Sequence, residues 1–580
     1  MTTSQTTELI AGIDLGTTNS AIGIIEDGQP RIIPVDGRPT MPSCVGLDEA
    51  GGILVGQAAV NQLVAAPERT LTSIKSHMGS DLALKLGDRD YHPEELSAFI
   101  LKRLKEVAEN ELGQPVKKAV ITVPAYFDEK QRRATQNAAE LAGLEAVRIL
   151  NEPTAAALAY RLQGDEKQTV LVYDLGGGTF DVSLVNCEKD LVEVRASHGD
   201  THLGGDNFDQ ALRAEIAKAW SGDEPLDLTD PRISRRLTIA AETAKCTLSD
   251  QPFAVVHEDF LAGDLHLEVE VARRDFEKLI EPMLEKTWES MNAALTDGEV
   301  TPDEVDKILL VGGSTRIPLV QAMIENQIGR EASREVDPDL IVTLGAAIQG
   351  GIIAGLDVGS ILVDISTQTF RTSAVDSASQ ELISIPLIQR GTPLPVTKSE
   401  VFSTQVDHQK QIFVEVSQGE SFFPPENLEI GNFEVEGLAR VPAGNIVLIE
   451  FALDLNGILT VTALEKATGL QKAVTIDTRD VGNSFDLGEA RKRIVEAFGD
   501  DEVAEAEVVP KPSSTHPEVT RSKDLKARAK NLLTQNPDPE DQEELEDLLA
   551  QSLAAIKAGN HEGLVGISDQ LEDIIFYLEE

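Results

Sequence analysis

Basic residues are scarce in this 580-residue chain: 51 lysines and arginines stand against 98 aspartates and glutamates, a net charge of −47. So acidic a chain is repelled by nucleic acid and by anionic membrane surfaces, which argues against either as a partner. Cysteine is scarcer still, with only Cys44, Cys187 and Cys246. An odd number without a CxxC pair argues against a disulfide framework or structural zinc and points to a reducing cytoplasm, with all three thiols expected as small buried hydrophobes. No apolar run is long enough to span a membrane, and the polar start from Met1 to Glu8 lacks the basic n-region of a signal peptide. What is present is globular: 41% of residues are hydrophobic, in a length that suits about three to five domains.

The chain is organised around Tyr173-Asp174-Leu175-Gly176-Gly177-Gly178-Thr179-Phe180-Asp181, which follows the apolar run Thr169–Val172. Three glycines let a backbone turn tightly, approach a phosphate and aim several N–H groups at it. Carboxylates on both sides would repel such a ligand unless a cation lies between, so Asp174 and Asp181 suggest magnesium with its waters. The stretch has an echo in Ile13-Asp14-Leu15-Gly16-Thr17-Thr18-Asn19-Ser20. Both run from strand through aspartate and a small-residue turn into a second strand, the pattern of a duplicated domain gripping one nucleotide from two sides.

Residues 9–185 read as one α/β lobe and 186–358 as a second. Helical spacing predicts a helix from Glu94 to Leu112; Asp128 caps another that runs to Leu141 and stops at Gly143. A further helix from Ser234 to Leu248 sets Glu242 and Lys245 on one face, where the plain reading is a surface ion pair. Ile361–Ile365, apolar except for Asp364, reads as a linker rather than a strand. From about 366 to 478 alternation takes over, as in Ile412, Val414, Val416 and in Val447, Ile449, Phe451, Leu453, with a hairpin turn at Asn456-Gly457. That is a β-sandwich. Helical patterns follow at 487–498 and around 519–535, 538–558 and 561–579, separated by a flexible acidic segment at 500–516.

These motifs resemble, in order, those of the seventy-kilodalton heat-shock chaperones of the DnaK type: GIDLGTTNS (12–20), VITVPAYF (120–127), NEPTAAALAY (151–160), YDLGGGTFDVS (173–183), GDTHLGGDNFD (199–209) and LVGGSTRIP (310–318). VFST (401–404), VSQGE (416–420) and LNGILTVTA (455–463) resemble the family's substrate domain. The resemblance implies a multidomain chain: an actin-like, two-lobed α/β ATPase domain over 1–358, a linker over 359–366, a β-sandwich peptide-binding domain over 367–480 and an α-helical lid over 481–580. It also implies ATP or ADP with Mg2+, and K+ as a further ion.

Carried over motif by motif, Lys75, Glu152, Thr179 and Asp181 are the catalytic set. Asp14, Gly16, Thr17, Thr18 and Asn19 form the first phosphate loop, and Asp174, Gly176, Gly177 and Gly178 the second, joined by Gly204 and Gly205. Asp14 and Asp174 hold the metal through water. Glu242, Lys245, Ser249, Gly312, Gly313, Ser314, Arg316 and Asp339 enclose the adenosine. Pro124, Arg132, Arg148, Asn151 and Asp364 match the relay and the patch for a J-domain partner, and Phe402, Ile412 and Val414 the groove for an extended apolar peptide. A nucleotide exchange factor is the other implied partner. The chain departs from the family in a short segment between Gly79 and Pro93, as in an HscC-like branch. It also departs in Ser366-Thr367-Gln368-Thr369-Phe370-Arg371 at the start of the sandwich, and in a C-terminus without EEVD. The function implied is ATP-driven binding and release of unfolded segments; the alternative is an ATPase scaffold or specialised regulator with little general refolding activity.

Overall fold

A computed structural model describes residues 8–161, 167–188, 191–218, 220, 226–262, 264–333, 337–356, 358, 361–376, 379–475 and 486–498, with scattered helical positions between 525 and 574. The chain divides into two compact units, Met1–Phe498 and Gly499–Glu580. The acidic segment 500–516 and most of the three helices expected beyond it lie outside the described residues. In the second unit, Leu525, Leu545, Leu548 and Leu571 share one apolar core. No helix among the described residues is long and apolar enough to cross a membrane.

The first unit opens with the same design used twice. The strands Ile10–Asp14, Asn19–Glu26 and Gln29–Ile33 form an antiparallel meander, and Lys118–Val123 and Glu145–Asn151 extend it in parallel beyond Ile10–Asp14. The strands Gln168–Leu175, Phe180–Glu188 and Leu191–Asp200 repeat that meander, with Lys307–Val311 parallel to the first of them. The lobe boundary therefore falls between Arg161 and Gln168, not after Val185: the second glycine hairpin pairs with a strand more than a hundred residues downstream, which local pattern cannot reveal.

Local chemistry explains the helices around these sheets. Pro93 and Glu94 open the helix Pro93–Leu112, the His92 N–H donates to Glu95 at 2.9 Å, and Gly113 ends it with a left-handed backbone. Asp128 and Gln131 form a capping box for Glu129–Leu141. Asp230 caps Pro231–Asp250, so this helix starts earlier than its apolar spacing suggests. The small-residue helix Ile341–Ile353 crosses the helix Glu152–Arg161 so closely that a Cβ on Gly345 would stand 1.8 Å from the Ala155 carbonyl oxygen.

Ile361–Val363, expected as a linker rather than a strand, is a strand: it adds to the edge of the second sheet, parallel to Leu191–Glu193. An apolar tripeptide beside an open sheet edge gains backbone hydrogen bonds that no local signal advertises. Two antiparallel four-stranded sheets follow. One is ordered Leu382–Ile388, Phe370–Val375, Gln411–Gln418, Leu428–Glu436; the other Val396–Ser403, Ile446–Leu453, Leu459–Glu465, Gln471–Thr475. The predicted alternation holds, with Val414, Val416, Val447, Ile449, Phe451 and Leu453 in one core. The helix Leu487–Phe498 then packs on the first lobe through Ala490 and Ile494, with Arg493 on Glu95 at 2.6 Å.

Candidate functional site

The turns of the two glycine hairpins meet face to face. A Cβ on Gly177 would lie 2.1 Å from Thr18 Oγ1, and one on Gly178 would lie 2.9 Å from Thr17 Cγ2. Gly176 N–H donates to Thr179 O at 3.0 Å, closing the second turn. The helix Gly205–Lys218 begins against it: Gly205 N–H donates to Gly176 O at 2.9 Å and Asp206 N–H to Gly177 O at 2.7 Å. Gly204 has no room for a side chain there. A helix N-terminus and two small-residue turns thus point into one cleft, a favourable setting for an anion.

The cleft has a volume of about 900 Å³. From the first turn it takes Asp14, Gly16, Thr17, Thr18 and Asn19, and from the second Asp174, Gly176, Gly177 and Thr179. Lys75 and Glu152 face each other at its floor as a buried ion pair, and the Lys75 ammonium stands 5.8 Å above the Phe127 ring. Asp181, Gly178, Gly204 and Gly205 stand behind the lining and shape it. Asp181 is buried and accepts from the Tyr126 N–H at 3.1 Å; Asp14 accepts from Thr122 Oγ1 at 2.9 Å.

Electrostatics at the floor are unbalanced. Burial, and then the Glu152 charge, raise Asp14 to about 6. The same causes hold Asp174 and Asp181 well above the ordinary carboxylate value. The Glu152 charge opposes ionisation of Asp14, Asp174 and Asp181, and the Lys75 ammonium offsets it only in part. Such a donor set fits a hard divalent cation, which would relieve the repulsion. Among the described residues no three His, Cys, Asp or Glu side chains converge as a direct ligand shell.

The far half of the cleft is lined by Glu242, Lys245 and Ser249 on the helix Pro231–Asp250 and by Gly312, Gly313, Ser314, Arg316 and Asp339. Gly312 has φ +80°, and a Cβ there would meet Leu175 O at 2.5 Å. Ser314 Oγ donates to Gly176 O at 3.0 Å, tying this wall to the second glycine turn. Arg316 pairs with Asp339 at 2.7 Å. Lys245 does not pair with Glu242 but with Asp209, at 2.7 Å. Burial raises Asp209 to about 6, against the pull of Lys245.

Asp206, Asp209 and Cys246 escaped the sequence reading. Asp206 lies within GGDNFD and accepts from Ser73 Oγ at 2.6 Å. Cys246 is exposed, so only Cys44 and Cys187 are buried thiols; it lines the cleft one residue after Lys245, and helical spacing from Glu242 could have found it. Elsewhere on the helix Pro231–Asp250, Ile239 packs on Cys44, Ala59 and Leu63, and Arg235 donates to Thr72 Oγ1 at 3.2 Å.

A second constellation links the lobes to the sandwich. Pro124 is buried beside the turn that holds Arg132. Arg132 donates to Phe127 O at 3.1 Å, Ala125 O at 3.0 Å and Asn151 Oδ1 at 2.7 Å. Asn151 Nδ2 donates to Asp364 Oδ2 at 3.0 Å. Burial raises Asp364, opposed by the Ile365 N–H, which donates to its Oδ1 at 2.9 Å, and by the charges of Arg148 and Arg132. The hairpin turn Asn456-Gly457 rests on this group: Asn456 Oδ1 accepts from Ile149 N–H at 3.1 Å. Nearby, Gln418 Oε1 accepts from Glu129 N–H at 3.2 Å.

The three groove candidates lie elsewhere. Val414 is buried in the sandwich core, and Phe402 and Ile412 pack half-buried against it. Their neighbours Val401 and Phe413 face outward, 60% and 56% exposed. Compared with known families, the chain matches the family model described as Hsp70 protein over residues 10–85 and 81–574.

Proposed function

The chain belongs to the Hsp70 family, whose members are ATP-hydrolysing chaperones, and from that premise we propose that it hydrolyses ATP between its two hairpins and uses the cycle to bind and release extended apolar segments on the sandwich. The observation that carries the reading is the meeting of two small-residue turns over one buried lysine and four carboxylates. The turn N–H groups and the N-terminus of the helix Gly205–Lys218 hold the phosphates. Lys75 faces the charge that grows on the transferring group, while Glu152, Asp181 and Thr179 orient the attacking water. Mg2+, held through water near Asp14 and Asp174, would offset phosphate charge when bound. Glu242, Lys245, Ser249, Gly313, Ser314, Arg316 and Asp339 enclose the adenosine.

Nucleotide state reaches the sandwich through Pro124, Arg132, Asn151 and Asp364, and the peptide lies along Phe402, Ile412 and Val414. A J-domain partner docks near Arg148, Asn151 and Asp364, and an exchange factor opens the lobes. The short 79–93 segment supports a place in the HscC-like branch. The test is single-turnover hydrolysis by Lys75→Ala, with ATP binding measured alongside. Loss of a cationic stabiliser should slow hydrolysis about 100–1000-fold while ATP still binds; undiminished turnover would remove Lys75 from the site.

A further inference from the structure

Asp297 is the last residue of the helix Arg273–Asp297, where unpaired carbonyls already make the end negative. A carboxylate is disfavoured there unless donors surround it. Two do, from different domains: His198 Nε2 on the strand Leu191–Asp200 lies 2.8 Å from Asp297 Oδ2, and Arg390 Nη2 in the turn after Leu382–Ile388 lies 2.7 Å from the same oxygen. The His198 ring also lies nearly parallel to Tyr126, with centroids 6.3 Å apart. Tyr126 donates its N–H to Asp181 at 3.1 Å and accepts from Gln368 Nε2 at 3.3 Å. The residue after His198 is Gly199, where a Cβ would stand 2.7 Å from Asp181 Oδ1. His198 therefore stands between the arginine that the sandwich sends into the lobes and the buried aspartate of the cleft.

We propose that His198 is a positioning residue that sets how firmly the sandwich docks, by sharing Asp297 Oδ2 with Arg390. As a neutral imidazole it adds one hydrogen bond and leaves the carboxylate charge to Arg390. A cation at the same place would neutralise Asp297 and repel the guanidinium. The inference rests on the coupling proposed above, but it concerns the charge at position 198 and not the catalytic groups.

The experiment uses the full chain and three variants: His198→Gln, a neutral donor; His198→Lys, a permanent cation; and Arg390→Gln. Release of a fluorescent apolar peptide is timed in ATP and in ADP, and exchange of the Ile149 amide, which Asn456 of the sandwich holds, is followed in parallel. His198→Lys should cut the ATP-to-ADP release ratio about tenfold and speed Ile149 exchange, while His198→Gln stays within about twofold of the parent. Adding His198→Lys to Arg390→Gln should cause no further loss, because no guanidinium remains to compete. Equal loss in the Lys and Gln variants, or parent-like behaviour of the Lys variant, overturns the proposal. A parent whose release is identical in ATP and ADP would defeat the coupling reading alone, since Ile149 exchange would still decide whether charge at 198 governs docking.

Discussion

In the cleft between the two hairpins backbone meets backbone; in the sandwich side chain meets side chain. The turns at Gly16, Gly204 and Gly312 pass so close to neighbouring backbone that a single methyl would collide. The sandwich core is built from alternating Val, Ile, Phe and Leu that interdigitate between two sheets. The first arrangement depends on the absence of atoms at fixed places and has no rotamer with which to adjust. The second depends on filled volume, which several side chains can supply. One region should therefore fail abruptly under small changes and the other by degrees.

Gly204→Ala is the strongest attempt to break this contrast. Its Cβ would stand 2.5 Å from Gly177 O and 2.7 Å from Gly178 N, both backbone atoms of the second turn. The turn must shift away from the cleft, and a displacement near 1 Å in a positioned site costs on the order of 100-fold in activity. Hydrolysis, read as kcat/KM, should fall by that factor while amide exchange in the sandwich strand Ile446–Leu453 stays unchanged. Parent-like hydrolysis would mean the turn yields as easily as a side chain does.

The groove candidates sharpen the other half. Val414 is buried, whereas Phe402 and Ile412 are half-buried on the same core. Val414→Ala should cost about 1–3 kcal/mol of sandwich stability, as deletion of buried methyl groups does. Phe402→Ala and Ile412→Ala should cost less stability and weaken apolar-peptide binding about tenfold, measured by fluorescence anisotropy. If all three lose stability with unchanged peptide affinity, they are core and nothing more.

The same contrast explains what could be read without coordinates. Close backbone approach demands glycine at fixed offsets from an aspartate, so both hairpins were legible, as were the caps at Asp128 and Gly143 and the alternation of the sandwich strands. Long-range pairing leaves no such mark. Nothing near Val170 announces that its parallel neighbour is Lys307, so the lobe boundary was set too late. Nothing in Ile361–Val363 names Leu191–Glu193 as its edge. Lys245 looked committed to Glu242 because helical spacing counts only its own helix; the winning partner, Asp209, comes from another. Alternation puts Val414 and Ile412 on one face of a strand, but does not say whether that face lines a groove or a core.

The smallest expected effect is on pH. In the cleft, burial and then Glu152 raise Asp14 from 3.8 to about 6. In the sandwich Glu465 moves the other way: burial opposes its charge, but donation from Thr468, the Ala439 N–H and Asn445 prevails and holds it below 4.5. A raised carboxylate binds its proton more tightly folded than unfolded, so its stabilisation fades as pH climbs from about 4 to about 6. A lowered one stabilises above its unfolded value and loses that contribution only as pH falls. The nucleotide-free lobes should therefore lose on the order of 1–2 kcal/mol between pH 4.5 and 7, less than a full two-unit shift because Asp14 lines the open cleft and water tempers its burial. Amide exchange corrected for intrinsic rate should show the strand Ile10–Asp14 losing protection over that range and Leu459–Glu465 keeping it. Asp14→Asn should reduce the first slope, with Asp174 and Asp181 keeping the remainder. Equal slopes in both strands would mean that crowded carboxylates, the feature that sets the cleft apart from the sandwich, leave no imprint on stability.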